Sequence, residues 1–335
     1  GFSDAGIFRA TYSDPNSAEN FSLRIDRILT DKISFFGRFN YSPSFSENRN
    51  PANLSSFVAS GQTTQSFTFG LTQAMTSRST NEIRVNFSRQ SGDTFHGFDG
   101  RYGGRLPDRK IFVPPSVDGS GTNYSFTLNG FSEPLVFSYG DFANNRLRQI
   151  NVADNFSFFF KTHELKVGVD FRELAPTLAA SEFGIDYEFA LGESLLSGTA
   201  SRVTYYRNPV AETRALNFSA YVQDTWKISP RLTLLYGLRW EVNPSPSARG
   251  DDSLRTLAEA PNLSKADQSD LKLAPAGTPY YRTRYNNFAP RLGIAFGLLN
   301  KPGRELVLRA GAGIFYDLGQ AQFNERASPY GYVRG

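Results

Sequence analysis

The sequence predicts an all-β fold, an antiparallel up-and-down transmembrane β-barrel, from three observations. Hydropathy alternates with a period of two along most of the chain. The alternating runs come in pairs joined by short turns, while the pairs are separated by long connectors. No apolar run approaches the roughly 18–20 residues that a membrane-spanning helix needs. The chain has 335 residues, 39% hydrophobic and 14% aromatic, with 30 Phe and 29 Gly. Its mean hydropathy is only −0.39. A barrel wall reconciles these values, because half of every spanning strand is polar and faces the lumen.

The elements follow in order. Phe21, Leu23 and Ile25 alternate with Ser22, Arg24 and Asp26, and Phe35, Gly37, Phe39 and Tyr41 with Ser34, Arg38 and Asn40. Phe67, Phe69 and Leu71 form the next run, then Ile83, Val85 and Phe87. Ile150, Val152, Phe156, Phe158 and Phe160 precede Leu165, Val167, Val169 and Phe171. Phe218, Ala220, Val222 and Trp226 precede Leu232, Leu234, Tyr236, Leu238 and Trp240. The last pair carries Leu292, Ile294, Phe296 and Leu298, then Leu308, Ala310, Ile314 and Tyr316. The pattern predicts about ten strands of roughly 9–12 residues, each long enough to cross a bilayer when tilted.

Short connectors are expected at Thr30-Asp31-Lys32, 76–80, Lys161-Thr162, Ser229-Pro230-Arg231 and 300–304. Long extracellular loops are expected at about 42–65, 91–147, 172–216 and 243–287 of a single barrel segment covering 1–335. Residues opposite one another on antiparallel strands share a face. A three-residue loop at Ser229-Pro230-Arg231 therefore pairs Ile228 with Leu232, Trp226 with Leu234, Val222 with Leu238 and Ala220 with Trp240, so that the apolar partners meet on one side. The same rule at Thr30-Asp31-Lys32 pairs Ile25 with Gly37, Leu23 with Phe39 and Phe21 with Tyr41. Asp224 breaks the pattern, falling in the apolar series opposite Tyr236.

Several phrases resemble TonB-dependent outer-membrane receptors and transporters, most closely the Oar-like subgroup, which carries a carboxypeptidase-regulatory-like domain. They are "HELKVGVDFRE" (163–173), "AYVQDTWKISPRLTLLYGLRWEV" (220–242), "NNFAPRLGIAF" (286–296) and "LRAGAGIFYD" (308–317), in the family's order. The resemblance implies an outer-membrane location, a barrel of more than twenty strands, an N-terminal plug and energy drawn through TonB. A plug domain is absent from these residues, as are a TonB box and a C-terminal strand ending in an aromatic. The chain opens on Gly1-Phe2-Ser3-Asp4, without a leader. It is therefore expected to be an internal portion of a barrel wall. The function implied is ligand capture by extracellular loops and energised uptake. The alternatives are an adhesin or structural barrel without active transport, and a small self-contained pore.

Other chemistry finds little support. The formal charge of +4 is scattered, with no basic stripe, so nucleic acid is not an expected partner. There is no Cys, and the two His residues, His96 and His163, form no metal motif; neither cofactor nor metal site is expected. Gly311-Ala312-Gly313 lies in a strand-like run, not before a helix as a phosphate loop requires. Asp118-Gly119-Ser120-Gly121 lacks the later acidic ligand of a calcium loop. The "NFS" triplets at 20–22, 86–88, 155–157 and 217–219 place Asn and Ser toward the lumen and Phe toward lipid. No nucleophile accompanies His96, Asp93 and Asp99, so no catalytic residue is assigned and enzymatic activity is not expected. The ligand-binding residues are left open. The aromatic and guanidinium groups of the long connectors, Tyr102, Arg105, Arg109, Tyr124, Tyr139, Tyr205, Tyr206, Tyr280, Tyr281 and Arg282, have the composition of a recognition surface for sugars or peptides.

Overall fold

The computed structural model describes residues 10–50, 53–103, 105, 122–130, 134–179, 181, 183–190, 197–207, 210–249, 274–275, 277–301 and 303–316. These residues form a sheet of fifteen strands and one short 3₁₀ turn, Arg101–Gly103, with no α-helix among them. The strands are β1 (Asn16–Ala18), β2 (Phe21–Thr30), β3 (Ile33–Asn50), β4 (Asn53–Thr76), β5 (Ser79–Phe98), β6 (Thr122–Leu128), β7 (Leu135–Phe160) and β8 (His163–Leu178). They continue with β9 (Phe183–Phe189), β10 (Arg202–Arg207), β11 (Ala211–Ser229), β12 (Leu232–Val242), β13 (Ser247–Ala248), β14 (Asn287–Lys301) and β15 (Arg304–Gly313).

The wall runs β1-β3-β4-β5-β7-β8-β11-β12-β14-β15, with β2 joining β1 on the same edge of β3. Every wall pairing is antiparallel, as expected of an up-and-down meander. Among the described residues the sheet does not close: β2 and β15 stand at its two ends, exposed along their whole length.

Register follows the hydropathy. Ala220 pairs with Trp240, Val222 with Leu238, Asp224 with Tyr236 and Trp226 with Leu234. In the first hairpin Phe21 pairs with Tyr41, Leu23 with Phe39 and Ile25 with Gly37. One face is thus apolar across the wall, and Phe67, Phe87, Ile150, Val167, Val222, Leu238 and Ile294 are all exposed on it. The triplets at 86–88, 155–157 and 217–219 obey the same rule. Asn86 bonds to Thr68 Oγ1 at 2.8 Å, and Asn155 accepts the Tyr221 hydroxyl at 2.7 Å, both on the opposite, polar face.

Two expectations need correction. The three-residue turn is a two-residue turn with a bulge: Ser229 faces Leu232, and Ile228 is skipped by the ladder instead of pairing with Leu232. Register shifts of the same form occur at Ile28/Thr30, Ala74/Thr76 and Gly297/Leu299. An added unpaired residue preserves the alternation that a bare two-residue loop would scramble. Most wall strands are also longer than the expected 9–12 residues, with 26 in β7 and 24 in β4, while β2, β12 and β15 have 10, 11 and 10. Alternation marks only the part facing an apolar solvent, whereas backbone pairing continues wherever two chains stay side by side. The β3–β4 ladder therefore runs on through polar partners, from Ser42↔Thr64 to Arg49↔Phe57.

Beyond the wall, β6 leaves β7 and pairs in parallel with β9, which carries β10. The branch pivots on Gly140, whose φ of +115° and a would-be Cβ 2.1 Å from Thr122 O admit only glycine. This small sheet holds the tightest packing, with Tyr124, Ile185 and Phe189 buried and Phe126 stacked on Tyr187 at 5.1 Å. The glycines at 311 and 313 lie inside β15, where Gly311 pairs with Gly293. Residues 118–121 lie outside the described residues.

Candidate functional site

The polar face changes character along the strands. Near the short turns it carries charges that neutralise one another two residues apart: Arg24–Asp26 at 2.7 Å, Arg84–Glu82 at 2.5 Å and Lys166–Glu164 at 2.8 Å. Period two puts both members of each pair on one face. Arg24 and Arg84 also bracket the Phe36 ring, at 4.2 and 6.0 Å from its centroid.

Toward the other end hydroxyls and carboxamides outnumber charges. A cleft of about 630 Å³ is lined there by Ser44 and Ser46 of β3, Ser60 and Gln62 of β4, Gln90, Asp93 and Thr94 of β5, Asn145, Arg146 and Leu147 of β7, and Pro176 and Leu178 of β8. Its floor is a row of register partners, Ser44↔Gln62, Ser60↔Thr94, Gln90↔Leu147 and Gly92↔Asn145. Hydroxyls and carboxamides both donate and accept, so the cleft suits a ligand rich in hydrogen-bonding groups. Its signal in the sequence is the Ser and Gln at alternate positions through 42–46 and 60–66, within the stretch expected to be a long loop.

The connector residues are divided among different places. Tyr124 is buried at 1% exposure in the β6–β9–β10 sheet, and Tyr206 lies against Gly184 there. Burial, with the Asp186 charge beside it, pushes the Tyr206 phenol above its ordinary value despite a hydrogen bond with Asn123. Burial also raises Asp186, helped by Glu188. Tyr205 is exposed on β10. Tyr139 packs edge-on against Phe95 at 6.0 Å. Tyr281 donates to Pro244 O at 2.9 Å, near Tyr280 and the exposed Arg282. Arg105 is exposed, the Tyr102 side chain is not described, and Arg109 lies outside the described residues. His96 stacks on Phe142 at 4.3 Å, and burial lowers its basicity.

A clasp ties the outer ends of β3, β4 and β5 together. Arg49, almost wholly buried, bonds to Asp99 at 2.8 Å, to Leu54 O at 3.0 Å and to Glu47 at 3.2 Å. Asp99 N donates to Ser55 O, and Ser55 Oγ to Arg101 O. Burial alone would raise Asp99, but the Arg49 bond and the Arg101 backbone outweigh it and hold the carboxyl below its ordinary 3.8.

On the apolar face Asp224 is not bare. Its Oδ2 accepts from His163 Nδ1 and from the Tyr236 hydroxyl, each at 2.7 Å. Three neighbouring strands, β8, β11 and β12, are thereby tied through one carboxylate. His163 is the first residue after a short turn and stacks on Trp226 at 5.2 Å.

The family described as "Outer membrane beta barrel domain" matches residues 3–333. The outer-membrane transporter YddB of Escherichia coli is 10% identical, with a TM-score of 0.52 over 89% of this chain and 40% of that one. The ferric-catecholate import receptor Fiu of E. coli K12 is 12% identical, with a TM-score of 0.48 over 85% of this chain and 45% of that one. The alcaligin outer-membrane receptor FauA of Bordetella pertussis is 11% identical, with a TM-score of 0.45 over 85% and 34%. The chain thus spans less than half the length of these structures. No curated protein matches it.

Proposed function

Since the chain belongs to the outer membrane beta barrel domain family and lies in the outer membrane, we propose that it is part of the wall of a TonB-dependent receptor of the Oar-like subgroup. In this reading the apolar face meets lipid and the polar face lines the lumen. The short turns point to the periplasm, and the segments 42–65, 91–147, 172–216 and 243–287 rise on the extracellular side. A ligand is captured at the extracellular end and drawn through the lumen when a plug, supplied elsewhere in the protein, responds to TonB. The chain carries out no covalent chemistry.

The observation that carries this reading is the cleft rich in hydroxyls and carboxamides at the outer end of the lumen face, between Ser44, Gln62, Gln90 and Asn145. It lies above a wall on which Arg24–Asp26, Arg84–Glu82, Lys166–Glu164 and Arg239–Glu241 pair two residues apart, which weakens the electrostatic trap a departing ligand would meet. The open sheet, with β2 and β15 unpaired among the described residues, speaks for a larger barrel and against a self-contained pore.

The test is energised uptake. Cells with the full protein should accumulate fluorescent oligosaccharides or peptides in a manner abolished by a protonophore. Ser60→Trp, which fills the cleft, should cut accumulation at least tenfold with the barrel still at the surface. Uptake indifferent to the protonophore would remove the transporter reading.

A further inference from the structure

We propose that the outward face of β8, β11 and β12, at the short-turn end, holds the phosphodiester headgroup of one membrane phospholipid, with His163 and Lys161 as the groups that grip it. Asp224 starts the argument. A carboxylate on the lipid side of a barrel strand is costly, and such residues are kept where they are paired and used. It is 8% exposed, and its second oxygen, Oδ1, is buried without a hydrogen bond. His163 is its sole ion-pair partner among the described residues.

A carboxylate only accepts, so the proton on the bond between them belongs to His163 Nδ1. That leaves Nε2, which no hydrogen bond reaches among the described residues, on a side chain 36% exposed. With a proton on each ring nitrogen, Nε2 is an N–H donor available to a ligand. Trp226 stacks on the imidazole with planes 16° apart and fixes its orientation, and Tyr236 holds Asp224 from the other strand.

A lysine ammonium stands beside it. Phe160 is the register partner of His163, and Lys161 Nζ lies 5.2 Å from the Phe160 ring centroid. The ring belongs to the apolar series, so the ammonium is on the outward side. The acids nearest in sequence do not compete: Glu164 faces the lumen and pairs with Lys166. Asp154, the other outward carboxylate of β7, lies opposite Val169, well up the strand from His163. A lysine ammonium, an imidazole nitrogen, an indole and a phenyl ring at the edge of an apolar wall complement a phosphodiester whose acyl chains lie along Val167 and Val222. Which leaflet supplies the lipid rests on the orientation proposed above; the class of ligand does not.

The test uses the full protein, purified in a phosphate-free detergent and titrated with dioleoylphosphatidylglycerol under native mass spectrometry. One lipid should remain bound per chain. Lys161→Gln and His163→Gln should each weaken retention about fivefold, and the pair more than tenfold. Lys161 sits on an exposed turn, so its variant tests the idea even if His163→Gln disturbs the strands. Equal retention in wild type and Lys161→Gln, equal retention of dioleoylglycerol, or displacement by millimolar inorganic phosphate would each overturn the proposal. Cysteine labelling at position 162 in intact and opened cells reports orientation separately.

Discussion

Leu238 and Arg239 are consecutive residues with opposite solvents. Leu238 stands on the apolar face between Val222 and Pro290, 41% exposed to what is lipid in the membrane. Arg239 points to the lumen and bonds to Glu241 at 2.5 Å. Leu238→Arg should therefore cost about 2–4 kcal/mol in a bilayer near mid-depth, measured by denaturant unfolding from vesicles. An Arg tolerated there at no cost would mean the face is not lipid-exposed. The Arg49–Asp99 clasp gives a prediction with a sign. Asp99 is held below its ordinary 3.8, so it contributes stability that is complete above that value and lost as pH falls through its lower folded value. Hydrogen exchange at the outer ends of β3–β5 should thus speed up below about pH 4, and Arg49→Ala should erase that dependence and cost about 1.5–3 kcal/mol locally, the range of a bond to a charged group. A pH response unchanged in the variant would assign it elsewhere. The clasp was not legible in the sequence. Nothing in the spacing of Arg49 and Asp99 marks them as partners, because their meeting depends on how far two ladders continue past the alternating region. Asp224 was legible only as an anomaly: its Tyr236 partner follows from register, but the His163 bond needs the order of three strands.

At the scale of elements, the alternation located each wall strand and set its register, because one face is apolar and a one-residue slip would turn every side chain over. What it could not reveal is the bulge beside the turn. A three-residue loop and a two-residue loop with a skipped residue give the same register above it. The structure resolves the choice locally: Ser229 Oγ accepts from Arg231 N and Leu232 N, and Thr30 Oγ1 and Thr76 Oγ1 accept from Lys32 N and Arg78 N. The hydroxyl before each turn caps the donors that the bend exposes. The skipped residues Leu29, Met75, Ile228 and Leu298 are all exposed and apolar. Strand ends were equally hidden, since polar residues pair as well above a membrane as apolar ones do within it. If the short turns face the periplasm, trypsin added to intact cells should cut at Arg101 or Arg282 and spare Lys161 and Arg231. Cleavage at Lys161 with the outer membrane sealed would reverse the orientation.

For the whole molecule, the decisive fact is that the sheet formed by the described residues stops without meeting itself. The wall begins at β2 and ends at β15, and large apolar residues on both edge strands, Phe21, Ile25, Leu306 and Leu308 among them, are half or more exposed. In lipid an open edge leaves a row of backbone N–H and C=O groups with no partner, each costing several kcal/mol by general expectation. In water the same edge pairs with whatever strand it meets. The lowest-energy state of such a wall has further strands beside β2 and β15, whether from the rest of a longer protein or from a second copy. These 335 residues, refolded alone in detergent, should accordingly form no compact monomer whose electrophoretic mobility changes on heating. They should aggregate or associate edge to edge. A heat-modifiable monomer that conducts ions in planar bilayers would show that β2 and β15 can be brought together. That result would overturn the larger-barrel reading and move the cleft between Ser44 and Asn145 from the rim of a gated channel to the mouth of a small open pore.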